Sequence, residues 1–366
     1  MFYNTRYYRI NDAIYKGKNY HMTDNQPTKL QIESIINDVL ATIERERERE
    51  IISRRFGLFD RKETLEQIGE LLGITRERVR QLEKTVLVRL KAMAEAGEIP
   101  HLGDVQTVLT EEITAMGGTA RVSELGAKLT PDNTRIDQAR VSFLGVLAPK
   151  LSVIEDNDHF FLAIGVTSIH DEKKIKEEVA KIIDNIKKIG EPTAIDVVAE
   201  QTGLGDASYV AALASISRHL ATLNGRWGLI KWPMVNPKNI RDKIYVILHE
   251  KGKHMHFNEI ADAIKESDFK RKDVTTQAIH NELIKDKRFV LVGRGIYALK
   301  EWGYEKGTVA DIITEVLKKS GEPLHRDEIV KQVLKSRYVK ETTILLNLQG
   351  KSQFKRVAKA TYALAK

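Results

Sequence analysis

The chain has 366 residues, 42% of them apolar and 30% charged, with a net charge of +8 and no cysteine. This is the composition of a soluble globular protein of roughly two to five compact units, and it excludes disulfides, iron–sulfur clusters and thiolate zinc sites. No run of about 18 uncharged apolar residues offers a membrane span and the start of the chain lacks a secretory apolar core, so a cytoplasmic setting without membrane partners is expected; the basic balance favours polyanions through counterion release.

Residues 1–27 carry Tyr3, Tyr7, Tyr8, Tyr15 and Tyr20 among Arg6, Arg9, Lys16 and Lys18, with neither helical nor strand period. They read as a basic, aromatic arm, either a loosely packed terminus or a segment that stacks on bases. From Leu30 to Gly57 the apolar positions Ile32, Ile35, Ile36, Val39, Leu40 and Ile43, then Ile51, Ile52 and Phe56, follow helical spacing. The intervening run Glu44 to Glu50 alternates acid and arginine; its pairs three apart attract and those four apart repel, so it is expected to form a solvated helix face.

Residues 64–91 carry a helix-turn-helix pattern within an expected domain at 28–97. Thr64 with Gln67 three residues on predicts a capping box, and Leu65, Ile68 and Leu72 give the first helix one apolar face. Gly69 is small where a second helix must cross closely, and Gly73 ends the first helix in a sharp turn. Thr75 then caps a second helix whose inner side is Val79, Leu82, Val86 and Leu90. Its outer side carries Arg76, Glu77, Arg78, Arg80, Gln81 and Lys84. A recognition helix presents its first turns to base edges in the major groove, where Arg bonds guanine, Glu accepts from cytosine and Gln pairs with adenine. Thr75, Arg76, Glu77, Arg78, Arg80, Gln81 and Lys84 are therefore the expected DNA-binding residues, with Arg78, Arg80 and Lys84 assigned to phosphates or the groove wall. The alternative is a solvated basic face on a small helical domain.

The segments Val39–Ile43, Arg54–Gly57, Thr64–Gly69 and above all Ile74–Glu83 resemble conserved region 4 of the sigma-70 family over residues 30–92. The resemblance implies that Arg76, Glu77 and Gln81 read a −35-like promoter element in double-stranded DNA. It also implies that the preceding helices help bind core RNA polymerase at the β-subunit flap. Fewer than 30 residues precede this segment, short of the roughly 50 a domain needs, so no promoter-melting region is expected before it.

Beyond residue 100 a unit recurs near residues 104, 172, 240 and 308, about 68 residues apart. Each opens with an amphipathic helix (Val105–Met116, Ile175–Ile189, Ile240–Glu250, Val309–Lys319) and continues with a short second one (Val122–Leu129, Ile195–Gln201, Phe257–Ile264, Arg326–Leu334). A third helical run follows. Each then closes on a short β segment with an aromatic, at 160–163, 226–229, 295–299 and 360–364. Three helices and a hairpin predict a winged helix, so the expected fold is mainly α: a helix-turn-helix followed by tandem winged helices at 102–167, 170–235, 238–304 and 305–366. The stretch 240–304 resembles the HARE-type winged helix, a family that includes the amino-terminal domain of the RNA polymerase delta subunit and modules in chromatin proteins and restriction systems. That likeness implies association with polymerase or nucleic acid. Arg288, Arg294 and Lys300 are candidate phosphate contacts, Trp302 and Tyr304 hairpin core, and Lys351, Lys355, Arg356 and Lys359 either a DNA-contacting wing or a solvated edge.

No catalytic pattern emerges. His249 and His254 are five apart, which turns them to different helix faces, so no metal site is expected. Gly350-Lys351-Ser352 has Leu345 where a phosphate loop needs its first glycine, and reads as a helix end. A non-enzymatic, cofactor-free transcription protein is the expectation. The alternatives are a polymerase-binding scaffold or delta-like accessory subunit, and the DNA-recognition subunit of a restriction system.

Overall fold

The computed structural model describes residues 30–168, 171–269, 271, 273–304 and 307–365. The basic aromatic arm expected at 1–27 lies outside these residues. The chain divides into two units, one ending at Ile230 and the other beginning at Lys231. It is mainly helical with small antiparallel sheets, as expected. Among the described residues no helix is long and apolar enough to cross a membrane.

In the first unit, α1 (Ile32–Ala41), α2 (Glu46–Phe56), α3 (Leu65–Leu72) and α4 (Arg76–Glu95) come first. The helix ends follow from local chemistry. Gly57 closes α2 and Gly73 closes α3, both with positive φ of 70° and 65°, a conformation open to glycine without steric cost. Thr64 and Gln67 form the reciprocal capping box before α3, and the Thr75 hydroxyl accepts the Arg78 N–H at 3.2 Å before α4. Next come α5 (Leu102–Ala115), β1 (Thr119–Arg121), α6 (Val122–Leu129), α7 (Arg135–Leu147), β2 (Leu151–Ile154) and β3 (Ala163–Val166). They are followed by α8 (Glu172–Ile189), β4 (Thr193–Ala194), α9 (Ile195–Thr202), α10 (Ala207–Ile216), β5 (Leu220–Leu223) and β6 (Arg226–Leu229).

The second unit holds α11 (Ile240–Lys251), β7 (Met255–His256), α12 (Phe257–Glu266), α13 (Thr276–Lys285), β8 (Phe289–Gly293), β9 (Ile296–Leu299) and a 3-10 turn at Lys300–Trp302. It continues with α14 (Val309–Ser320), β10 (Leu324–His325), α15 (Arg326–Ser336), α16 (Glu341–Gly350), β11 (Phe354–Ala358) and β12 (Thr361–Leu364).

Each repeat thus runs helix, strand, helix, helix, strand, strand, and in every one the last strand lies between the other two. This is the element order of a winged helix, with one strand per repeat that the sequence did not reveal. The short strands β1, β4, β7 and β10 are two or three residues long. They pair with the returning hairpin strand, as in Thr119 opposite Gly165 and Leu324 opposite Tyr362.

The helix-turn-helix and the first repeat share one hydrophobic core. A single buried cluster runs from Leu30, Ile36 and Val39 through Val86 and Leu90 to Leu109, Phe143 and Ile164. Helix α7 packs against α1, α2 and α4, with the Phe56 and Phe143 rings 4.8 Å apart. Arg140, also buried, donates to Leu58 O at 2.8 Å and to the Glu33 carboxylate at 3.1 Å, tying the junction together. The expected boundary near residue 100 is therefore crossed by continuous apolar packing.

The first hairpin also differs from expectation. Phe160 and Phe161 were expected in its strand, yet β3 begins at Ala163. Phe160 instead bridges to Ser217 of the next repeat, and the Phe161 ring lies between the Arg121 and Arg218 guanidiniums, 4.0 and 4.2 Å from its centroid. A guanidinium over an aromatic ring is attracted by its quadrupole, so these aromatics join repeats rather than pair strands.

Candidate nucleic-acid interface

The second helix of the helix-turn-helix is held by three layers of contact. The first is a small core of Ile51, Ile68 and Val79, with Leu65, Leu72, Ile74 and Leu82 packed around it. The second is the close crossing at Gly69: a Cβ there would lie 2.7 Å from Ile74 O, so only glycine lets the turn between α3 and α4 approach. The third is polar. Glu48 is buried and takes Arg89 at 2.7 Å and Arg45 at 3.4 Å, while Arg55 meets Glu83 at 3.3 Å. These pairs fix α4 against α2.

The Glu44–Glu50 run is thus corrected in part. It is not wholly solvated: Glu48 turns inward, because it lies on the same face as Ile51 and Ile52 and finds an arginine partner from α4. A buried carboxylate is tolerated where a guanidinium pairs with it. Sequence reading missed both Glu48 and Arg89, since the partner is 41 residues away in the chain.

With α4 so fixed, Val79, Val86 and Leu90 face inward, whereas Arg76, Glu77, Arg78, Arg80, Gln81 and Lys84 are all exposed. The six lie along the first turns of the helix, on its solvent side. Their polar groups are interconnected. Arg80 donates through both Nε and Nη2 to the Glu77 carboxylate at 2.8 and 2.7 Å, a two-point fork one turn apart. Gln81 donates to Glu77 at 3.4 Å, Arg78 donates to the Gln81 side-chain oxygen at 3.4 Å, and Arg76 sits 3.8 Å from Glu66. The Arg80 hydrogen bond holds the Glu77 carboxyl below the usual carboxylate range, and Glu77 raises Arg80 in return. The Thr75 hydroxyl accepts the Arg78 N–H and sets the helix start.

Residues 45–92 match the family described as Sigma-70, region 4. This stretch is a sigma region 4 DNA-binding domain. The match begins just before α2, so α1 lies outside it. The RNA polymerase sigma factor RpoD of Helicobacter pylori is 44% identical over 66 residues, covering 18% of this chain and 9% of that protein; the same protein of a second strain gives the same figures. The RNA polymerase sigma factor SigA of a Bacillus species is 47% identical over 57 residues, 15% of each chain. The chain therefore spans well under a fifth of the length of these curated relatives.

The other sequence-selected cations fall in different settings. Arg288 is ion-paired with Asp286 at 2.8 Å and Asp242 at 3.2 Å, while Arg294 and Lys300 are exposed. Trp302 and Tyr304 pack on the hairpin residues Val290, Val292 and Ala298. His254 stacks on Tyr338 with centroids 4.0 Å apart, and the His256 side chain caps α12. Gly350 ends α16.

Proposed function

We propose that this chain is a non-enzymatic, DNA-binding transcription protein. In this reading the α4 side chains Arg76, Glu77 and Gln81 read a −35-like element in duplex DNA, and the chain associates with core RNA polymerase. The reading is carried by one observation: six polar side chains of the sigma region 4 segment lie exposed on the first turns of a helix whose opposite face is locked into a core. Such a helix is ready to enter a major groove without rearrangement of its backbone. The Glu77–Arg80 fork places an acceptor and a donor side by side, suited to adjacent base edges of opposite polarity.

Association with polymerase is supported by the sigma factors that share this segment. The faces of α1 and α2 that pack against α7 are occupied within the chain, so a polymerase contact would use their remaining exposed surface or displace α7. The HARE-type reading of 240–304 supports the same assignment through the element order of the repeats. A retention assay with immobilised core polymerase tests this part: the full chain should be held, and held equally after Arg76→Ala and Arg80→Ala. Failure of the wild type to be retained would leave DNA binding alone.

A further inference from the structure

The four repeats do not offer equivalent surfaces to a polyanion. In the first, the third helix α7 is buried from Arg140 to Leu147 except for a partly covered Val146. In the second, α10 holds no cation and packs against β1, with Ser208 O and the Ala212 Cβ beside Gly117. Helix α13 holds Lys285 at its last position and no other Lys or Arg, and α16 holds none. Third helices are thus consumed by packing or lack the charge to meet phosphates.

The hairpins differ as well. The β2–β3 connection carries Glu155, Asp156 and Asp158, and the third-repeat hairpin exposes Arg294 and Lys300 while two aspartates pair with Arg288. The β11–β12 hairpin stands apart. Lys351, Lys355, Arg356 and Lys359 are all exposed, and residues 351–366 contain no Asp or Glu. Asp327 is brought near the hairpin tip by the Arg326 N–H bond to Ala360 O, but it is engaged by Arg326 at 3.2 Å and His325 at 3.3 Å. Strand β11 is an outer strand of its sheet; Lys355 and Arg356, neighbours on it, point to opposite faces, and Lys359 lies in the turn that follows.

We propose that the β11–β12 hairpin is a second, sequence-independent DNA contact that meets the phosphates of a duplex. Spread over the strand and the turn, these cations give the hairpin positive charge on both of its faces. The hairpin presents no base-reading geometry: the exposed Val357 at the bulge between Arg356 and Ala358 is apolar.

The test uses the full chain carrying Lys355→Gln, Arg356→Gln and Lys359→Gln together, with binding to a duplex of arbitrary sequence followed by fluorescence anisotropy over a salt series. Each lost phosphate contact reduces the slope of log K against log salt by ~0.9, so the triple variant should lose up to ~2.7. Between about 50 and 200 mM salt the wild type should then weaken ~40-fold more than the variant. A charge-preserving variant, Lys355→Arg with Arg356→Lys and Lys359→Arg, should keep the wild-type slope. An unchanged slope in the glutamine variant would overturn the proposal, as would a loss confined to one duplex sequence. Unchanged DNA binding with reduced polymerase retention would overturn it too, reassigning the hairpin to an acidic protein surface. Because the readout is on arbitrary duplex, it stands or falls apart from base reading by α4.

Discussion

Replacing Glu77 by Gln probes the reading helix where its geometry is most specific. In the free protein both Glu77 carboxylate oxygens accept from Arg80, and Arg80 thereby holds the carboxyl below its usual range. Glu77→Gln removes the negative charge and releases the guanidinium. Two opposite consequences follow. The helix face gains one unit of positive charge, so non-specific duplex binding should strengthen and its salt slope should steepen by ~0.9. At the same time the carboxylate that accepts from a base is gone, and discrimination at that base pair should fall by about 5- to 150-fold. The fold should hold, since both residues are exposed and neither supports the core. Anisotropy titrations over a salt series, on duplexes differing at one position, separate the two effects. Unchanged non-specific binding and salt slope together with unaltered selectivity would refute the reasoning, because they would place Glu77 away from both phosphates and bases.

Three further outcomes are expected. Phe143→Ala empties a fully buried site in the core shared by the helix-turn-helix and the first repeat, and should cost about 3–5 kcal/mol in chemical unfolding followed by far-UV dichroism. It should also lower DNA affinity, whereas a loss under 1 kcal/mol would argue against a shared core. Gly69→Ala sets a Cβ against the backbone oxygen of Ile74 and should destabilise the α3–α4 crossing by about 1–3 kcal/mol, with a parallel loss of DNA binding; a neutral result in both would remove the close-approach account. In the third repeat burial pushes the Asp286 carboxyl up, but the bonds from Arg288 outweigh it and hold it below the ordinary range. Its stabilisation is therefore present above the unfolded-state value and is lost as pH falls through the lowered folded value. Urea unfolding from about pH 7 down to about pH 3 should show this loss in the wild type and not in Arg288→Gln, which should already be weaker by about 1 kcal/mol after solvent screening. Equal pH profiles for the two proteins would show that Arg288 does not govern Asp286.

Much of the helical framework could be read from the sequence, because apolar residues at helical spacing persist over whole turns. The second helix of the first repeat was expected at Val122–Leu129 and is found there, and the Thr64–Gln67 box marks the start of α3 in both sequence and structure. The first strand of each repeat is not legible, since two or three residues carry no period. The docking of α7 has a different reason: the sequence reading gives only a third helical run there. Its run Val141-Ser142-Phe143-Leu144-Gly145-Val146-Leu147 is apolar nearly all round, the mark of a helix buried on every side, and that signal was available. In the site, the six exposed side chains of α4 followed from their spacing, while the Glu48–Arg89 pair that orients the helix depends on long-range folding that local pattern does not encode.

The most direct measurement is selection of bound duplexes from a randomised pool by the full chain, repeated with Gln81→Ala and with Glu77→Gln. A short enriched motif for the wild type, altered at different single positions by each substitution, is the outcome predicted for a groove-reading α4. A pool that remains random, or one motif shared unchanged by all three proteins, would contradict it.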